Sequence, residues 1–474
     1  MREKLTRASA AVLLLLAAAA LRGQCVTNVK AITQPGAFPS RVAGPIATTG
    51  SILGLAKSDT TIGTSAIFFA TYDGNLNQLT ADRPIADLSA NGATNLIWNG
   101  SEFALFYQTS GFVPTLQRID TVGNPLGSPV SILNHGASSD DEFDVAWSPV
   151  RNAYAIGRTV TVGVDSGLWL TIVSKEGMVL ADTALSAFIS SPVTPHVIAL
   201  PDGSFAMSWV RRTGGTRSLV LSIVSTTGQI KSAIVSETSD VNTPRLATNG
   251  SSILLVYAGT TTTGTELRYA QYDLAAIPIK TASSFFAGSG VDILPLQLQW
   301  NSALSEWALT YNDSFGPAFP STRLRRFPSP TGTASDTLLS PNPVQSRLLA
   351  PFPIVFMNGG YVGSIQRIIS RQEGSESYLV KSCPFFVTAV ASPPVAPLFA
   401  PVTFTATPSG GTAPYQFQWQ FGDLGSATGQ SVQHAYNVPN TYTITLTATD
   451  AAGAVSITRV TVVVALGKTR AVRH

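Results

Sequence analysis

Four histidines and two cysteines are a small stock for chemistry in a chain of 474 residues. A Ser-His-Asp system needs a histidine as its base. Only His135 and His196 precede the C-terminal region, and neither sits in a nucleophile motif. The Gly-x-Ser-x-Gly elbow, the phosphate loop and the dinucleotide fingerprint are all absent, so no cofactor is expected. Asp140, Asp141, Glu142 and Asp144 have the residue types of a sugar-hydrolysing carboxylate pair. Nothing in their spacing selects a pair, and such a run is ordinarily a solvated loop. So few His and Cys argue against a zinc site. Arg211-Arg212 and Arg323-Arg325-Arg326 are short basic patches suited to strand ends and rims. Trp98, Trp147 and Trp300 stand just before a recurring turn, and a repeated position in a repeat fold is a packing position before it is a sugar platform. No catalytic residue, ligand-binding residue or metal ligand is assigned from these types and spacings.

The elements that must position any such residue are strands. Lys+Arg is 30 and Asp+Glu is 27, a net charge of +3, and charged residues are only 12% of the chain. Nucleic acid, which needs clustered Lys and Arg against phosphate, is not an expected partner. A hydrophobic share of 44% excludes a disordered chain. Gly (39) and Pro (30) predict many turns, and no segment sustains a helical period.

The N-terminus reads as a targeting segment. Met1 to Arg7 is basic, and Ala8 to Leu21 is an unbroken apolar run, shorter than the roughly 20 residues that span a bilayer. Residues 1–23 are therefore expected to be a signal peptide, cleaved after Ala20 or Gly23. Lipidation of Cys25 is the alternative, although Arg22-Gly23-Gln24 departs from a lipobox. No later stretch is long and apolar enough to predict a transmembrane helix in the mature chain.

A unit of about fifty residues then recurs. Its turns fall at Thr49-Gly50, Asn99-Gly100, Pro149 to Asn152, Asp202-Gly203, Asn249-Gly250, Asn301-Ser302 and Asn358-Gly359. Asn-Gly and Asp-Gly supply the positive φ of tight hairpins. Apolar strands follow, such as Phe103 to Tyr107, Phe205 to Trp209 and Ile253 to Tyr257, with a second Gly turn at Gly123-Asn124, Gly177 and Gly228. Four short strands per unit and this period predict a seven-bladed β-propeller over residues 25–385. A run of β-sandwich modules would have about twice the period. Trp-Asp, kelch and Asp-box signatures are missing.

Beyond Cys383 the pattern changes. Residues 386–397 include Pro393-Pro394-Val395-Ala396-Pro397 and are expected to be a stiff linker. Residues 398–466 alternate apolar and polar residues as sandwich strands do, and 467–474 form a basic tail. Trp419, Phe421, Gly422 and Asp423 are followed by His434 and Tyr436, then by Pro439, Tyr442, Leu446 and Asp450. This order resembles the PKD (polycystic kidney disease) domain, whose pattern is Trp-x-Phe-Gly-Asp-Gly, His-x-Tyr and Pro-Gly-x-Tyr-x-Val-x-Leu-x-x-x-Asp. The chain departs at Gln420, Leu424 and Asn440, where the family commonly has Asp, Gly and Gly, so two turns are expected to be altered. The resemblance implies an immunoglobulin-like β-sandwich, with His434 structural and the domain serving as spacer or adhesive module.

The whole chain is thus expected to be all-β, a seven-bladed β-propeller followed by an immunoglobulin-like β-sandwich. Its seventh unit lacks a fourth strand, and the segment Cys25 to Ile32 is a spare strand able to complete it. That pairing would set Cys25 beside Cys383, an expected disulfide in an oxidising compartment. The expected role is binding or adhesion, secreted, periplasmic or at the cell surface, with polysaccharide or protein as partner. The alternative is a secreted propeller glycoside hydrolase or polysaccharide lyase with a PKD accessory domain.

Overall fold

The computed structural model describes residues 26–32, 41–59, 65–88, 93–109, 113–132, 143–162, 165–186, 193–213, 216–237, 241–261, 264–287, 294–313, 321–330, 335–338, 354–357, 360–370, 374–382, 385–409, 411, 413–451 and 455–465. The signal segment, both cysteines, His135, Asp140, Asp141, Glu142 and the basic tail lie outside the described residues.

Among the described residues, six antiparallel four-stranded sheets follow the chain, and four further strands, Leu294–Asn301 to Ser335–Leu338, form one end of a nine-stranded sheet. Blades one to six run strand by strand in sequence order, from Arg41–Thr48 in blade one to Ser335–Leu338 in blade six. Their first strands contact one another from blade to blade and so surround the axis. Each blade buries both faces against its neighbours. One apolar cluster fills each of the seven seams: Leu96 and Leu105 with Ala56 and Phe69 between blades one and two, for example, and Leu379 with Leu55 where blade seven meets blade one.

Blade seven closes as the spare strand predicted. Its order is Val26–Ala31, Gly374–Ser382, Gly360–Ser370, Ile354–Met357, and Val26 lies opposite Ser382. The N-terminal strand thus covers an edge that would otherwise be open. Lys381 from that blade donates to the Gly74 carbonyl of blade one (2.7 Å), a polar bond added to the apolar seam.

Among the described residues, the turn between third and fourth strands is one device used five times. It begins at Asp73, Asp120, Ser174, Ser225 and Asp273, whose N–H bonds the carbonyl four residues on. The side-chain oxygen of the same residue accepts from the amide four residues on, as at Asn77, Asn124 and Met178. The fourth turn position takes positive φ every time, at Leu76, Gly123, Gly177, Gly228 and Ala276. This is a type I turn closed by a residue in the left-handed region. The amides it gathers to the first side chain explain why Asp or Ser opens it.

One domain boundary differs from the expected one. Residues 386–397 are not a linker: Phe386–Ser392 is a strand that pairs with Pro401–Ser409, and Val395–Pro397 pairs parallel to Val455–Ala465. Val387, Ala389 and Ala391 alternate into the sandwich core, and Phe385, expected at the propeller's end, is buried there too. The prolines 393 and 394 mark where the chain crosses from one sheet to the other. The three-stranded sheet Phe386–Ser392, Pro401–Ser409, Ser431–Ala435 faces a second sheet built on Asn440–Thr449 and Val455–Ala465. That second sheet meets the outer strand of blade six through Ser335 opposite Thr458.

Candidate functional site

The axis is where single polar residues interrupt apolar strands. Asp144, His196, Arg245 and Gln297 belong to the first strands of blades three to six, Phe143–Ser148, Val193–Ala199, Val241–Thr248 and Leu294–Asn301. Register shifts fall beside three of them, between Val193 and His196, Asn242 and Arg245, and Pro295 and Gln297. A bulge re-aims the side chain that follows it. Within the blade-five bulge Thr243 takes φ +44°, a left-handed conformation disfavoured for a β-branched residue. Strain of that kind persists only where surrounding structure imposes it, and it gathers at functional sites.

Each of these side chains ties its blade to the next. The Val197 amide donates to Asp144 Oδ2 (2.9 Å), and the Leu246 amide donates to His196 Nδ1 (3.1 Å). Arg245 Nε donates to the Leu296 carbonyl (2.6 Å) and its Nη1 to the Pro244 carbonyl (2.9 Å). The Ile354 amide donates to Gln297 Oε1. The chain of ties runs through blades three, four, five, six and seven in order.

Asp144 and His196 form the electrostatic centre. The Leu246 bond makes His196 Nδ1 an acceptor, which places the proton of the neutral ring on Nε2. That Nε2 lies 3.9 Å from Asp144 Oδ2, beyond hydrogen-bond reach. Burial pushes the Asp144 carboxyl up to about 6, against the pull of the Val197 amide and the Arg245 charge. Burial and the same Arg245 charge push His196 down to about 3, so the ring is neutral near pH 7. Both side chains lie within the protein body yet keep 23% and 17% of their surface exposed.

The other candidates are placed as follows. Trp98, Trp147 and Trp300 each face an aromatic partner on the adjacent strand, Phe103 (5.0 Å), Tyr154 (4.6 Å) and Trp307 (4.9 Å). All three pack against clusters in the seams between blades, which makes them core. Arg211 and Arg212 lie opposite Ser218 and Arg217 in the blade-four ladder. In blade six Arg325 covers the Phe285 ring at 5.4 Å, while Arg326 is buried and donates through Nε to Glu306 Oε1 (2.7 Å). Tyr361 of blade seven donates to the same Glu306 oxygen (3.0 Å), and Asn301 donates to Tyr361 (3.0 Å). Blades two and three repeat this clasp with Arg118, Glu102, Asn99 and Tyr154. Arg323 stands opposite Tyr311 in the ladder. Among the described residues no group of three or more His, Cys, Asp or Glu is placed to hold a metal ion.

In the sandwich, Trp419, Phe421, Tyr436 and Tyr442 share one core. The His434 ring stacks on Phe421 (4.1 Å), and its Nε2 lies 2.7 Å from Asp423 Oδ2. Burial works against ionisation of Asp423, but the bonds from His434 and the Gly425 amide hold its carboxyl below the usual range. Gly422 and Leu424 take φ +83° and +72°. The turn therefore keeps the geometry that glycine serves in the family pattern, with Leu424 fully exposed at its tip. Asn440 opens the strand Asn440–Thr449, and Asp450 is buried just beyond that strand. A comparison with family models matches residues 390–465 to the PKD domain. Residues 390–465 are a PKD domain. The match begins inside the strand first expected to be a linker.

No curated protein sequence matches the chain. Solved structures similar to the chain include propellers. A polysaccharide lyase is 9% identical with a TM-score of 0.50, over 76% of this chain and 100% of its own. The β-propeller domain of the trilobed protease from Pyrococcus furiosus, described as having an open velcro topology, is 13% identical with a TM-score of 0.46, over 72% of this chain and 95% of its own. An endosialidase of phage phi92 is 8% identical with a TM-score of 0.43, over 75% and 69%. At such identities the likeness concerns the fold.

The sequence alone does not single out the axial column, in which His196 stands without a nucleophile motif. The usable signal was spacing: Asp144, His196, Arg245 and Gln297 recur about fifty residues apart, each three residues before Trp147, Ala199, Thr248 and Trp300.

Proposed function

We propose that the chain is an extracellular binding protein. The propeller presents a ligand surface at the axial polar column, and the PKD domain serves as spacer or adhesive module. The ligand is a polysaccharide or a protein. The observation that carries this reading is the set of ties from Asp144, His196, Arg245 and Gln297 to the following blade. These bonds hold polar side chains rigidly at the axis, which lowers the ordering cost of binding. Export fits the same reading. The blade-seven ladder reaches Val26 opposite Ser382, one residue short of Cys25 and Cys383, and oxidation outside the cell would join them. Non-reducing mass spectrometry of the exported chain is expected to find the Cys25–Cys383 peptide pair; a free Cys383 thiol or a lipid on Cys25 would exclude it. No helix among the described residues is long and apolar enough to cross a membrane.

A second reading, a glycoside hydrolase or polysaccharide lyase, draws on Asp144, whose carboxyl is pushed up to about 6, near the range of a working acid or base. A polysaccharide array paired with a depolymerisation assay on the same polymers separates the two. Binding without cleavage supports the first reading. Cleavage abolished by Asp144→Ala establishes the second.

A further inference from the structure

The Asp144–His196 gap has a chemistry of its own. The Leu246 amide fixes His196 with its hydrogen on Nε2, a donor. Asp144 Oδ2, 3.9 Å away, is an acceptor. A direct bond is too long, but one oxygen set beside the gap reaches both. With ordinary bond lengths of about 2.9 Å to the ring nitrogen and about 2.7 Å to the carboxylate, the angle at that oxygen is about 90°. The oxygen must accept from His196 and donate to Asp144 at once. A hydroxyl does both. A carboxylate or sulfate cannot donate and meets the Asp144 charge. An ammonium or guanidinium offers no acceptor to Nε2–H.

The surroundings agree with an uncharged ligand. Arg245 is the cation that acts on both groups, and its Nε and Nη1 are turned to the Leu296 and Pro244 carbonyls. Its charge offsets that of Asp144, so the column has no net charge to select an acidic polymer. Asn95 and Gln297, both half-buried, occupy the same level of the first strands in blades two and six and add further amide partners.

Resting on the binding role proposed above, we infer that the axial column recognises a neutral sugar, with one hydroxyl bridging His196 Nε2 and Asp144 Oδ2. Asp144 and His196 are then the specificity-determining pair of the propeller.

The test is binding of the full chain to immobilised neutral polymers (mannan, galactan, β-glucan, xylan) and acidic ones (alginate, polygalacturonate, chondroitin sulfate). The wild-type chain is expected to retain one or more neutral polymers and no acidic one. Asp144→Asn keeps the shape and an acceptor for the Val197 amide but removes the charged acceptor. It is expected to weaken neutral-polymer binding at least tenfold, since a hydrogen bond to a charged group is worth about 1.5–3 kcal/mol. Asp423→Asn in the PKD domain is expected to leave that binding unchanged. Retention of acidic polymers alone overturns the neutral-sugar inference and leaves the binding role standing. Neutral binding indifferent to Asp144→Asn means the gap holds water only and overturns the assignment of the pair. Should that variant misfold, the wild-type selectivity still decides. A chain that retains no polysaccharide overturns the inference, and one that also retains no extracellular protein ligand overturns the binding role with it.

Discussion

In the PKD domain Trp419, Phe421, Phe404, Tyr436 and Tyr442 belong to one core, in which the Tyr436 and Tyr442 rings stack at 4.0 Å. In the propeller the apolar residues are divided among seven separate clusters, one per seam, with polar ties beside them. The two regions therefore distribute stability differently. A single core couples every residue to every other. A ring of seams couples each blade chiefly to its neighbours, as in repeat proteins generally. The ring can then vary one blade's inner strand with limited damage elsewhere. That freedom lets a polar column be built at the axis from one residue per blade.

The contrast is open to direct attack. The largest effect is expected from Trp419→Ala, which empties a fully buried site and removes a donor to the Gly429 carbonyl (2.9 Å). A loss of about 3–5 kcal/mol is expected. Calorimetry should show the PKD transition falling sharply while the propeller transition stays in place; a matching fall in both would mean the regions unfold as one.

Next comes Arg326→Met at the seam of blades six and seven. The pair Arg326–Glu306 is only 3% and 2% exposed, so removing one charge strands the other. A loss of about 3 kcal/mol is expected, largely recovered in the double variant with Glu306→Gln. Hydrogen exchange is expected to rise in blades six and seven and to stay unchanged in blade three; a uniform rise would deny the seam-by-seam picture.

A smaller effect separates the axial pair by pH. His196 has its folded pKa lowered to about 3, so its contribution to stability is present above the unfolded value near 6.5 and lost as pH falls from there towards 3. Asp144 runs the other way: its folded pKa is raised to about 6, so its burial cost is relieved as pH falls from 6 towards the unfolded value near 4. Between those limits the two oppose each other, and their joint slope is nearly flat. Asp144→Asn removes one side of the balance. Urea midpoints from pH 6.5 to 4 are then expected to fall more steeply than wild type, by at most about 1.4 kcal/mol per pH unit. Parallel profiles for the two proteins would show that the pair is not buried as described.

The smallest effect tests a turn. Leu424 holds φ +72° with its side chain in solvent. Leu424→Gly relieves about 1–2 kcal/mol of left-handed strain and adds about 0.5–1 kcal/mol of unfolded-state entropy. A net gain of about 0.5 kcal/mol in the PKD transition is expected; a loss would mean that the Leu424 side chain has a contact worth keeping.

Much of the architecture was legible because its signals are local. Period-two alternation and Asn-Gly turns mark strands and hairpins, and the spacing from Trp419 to Asp450 carries the sandwich. The misreadings have physical causes. Pro393 and Pro394 look like a stiff joint, yet the small alternating residues Val387, Ala389 and Ala391 before them already fill a core face. Leu76 and Ala276 occupy the positive-φ place that Gly123, Gly177 and Gly228 advertise, so in those two turns no glycine marks that place. The axial column was hidden for a related reason. A lone Asp, His, Arg or Gln in a short apolar strand reads as an interruption until the blades are stacked and the residues fall into one ring.

The strand Val26–Ala31 leaves the ribosome about 340 residues before Gly374–Ser382, the strand it pairs with. At roughly 5–20 residues per second, it waits on the order of 20–70 s for that partner to be made. Throughout that interval the seam between blade seven and blade one does not yet exist. Ring closure joins the earliest-made strand of the propeller to the latest.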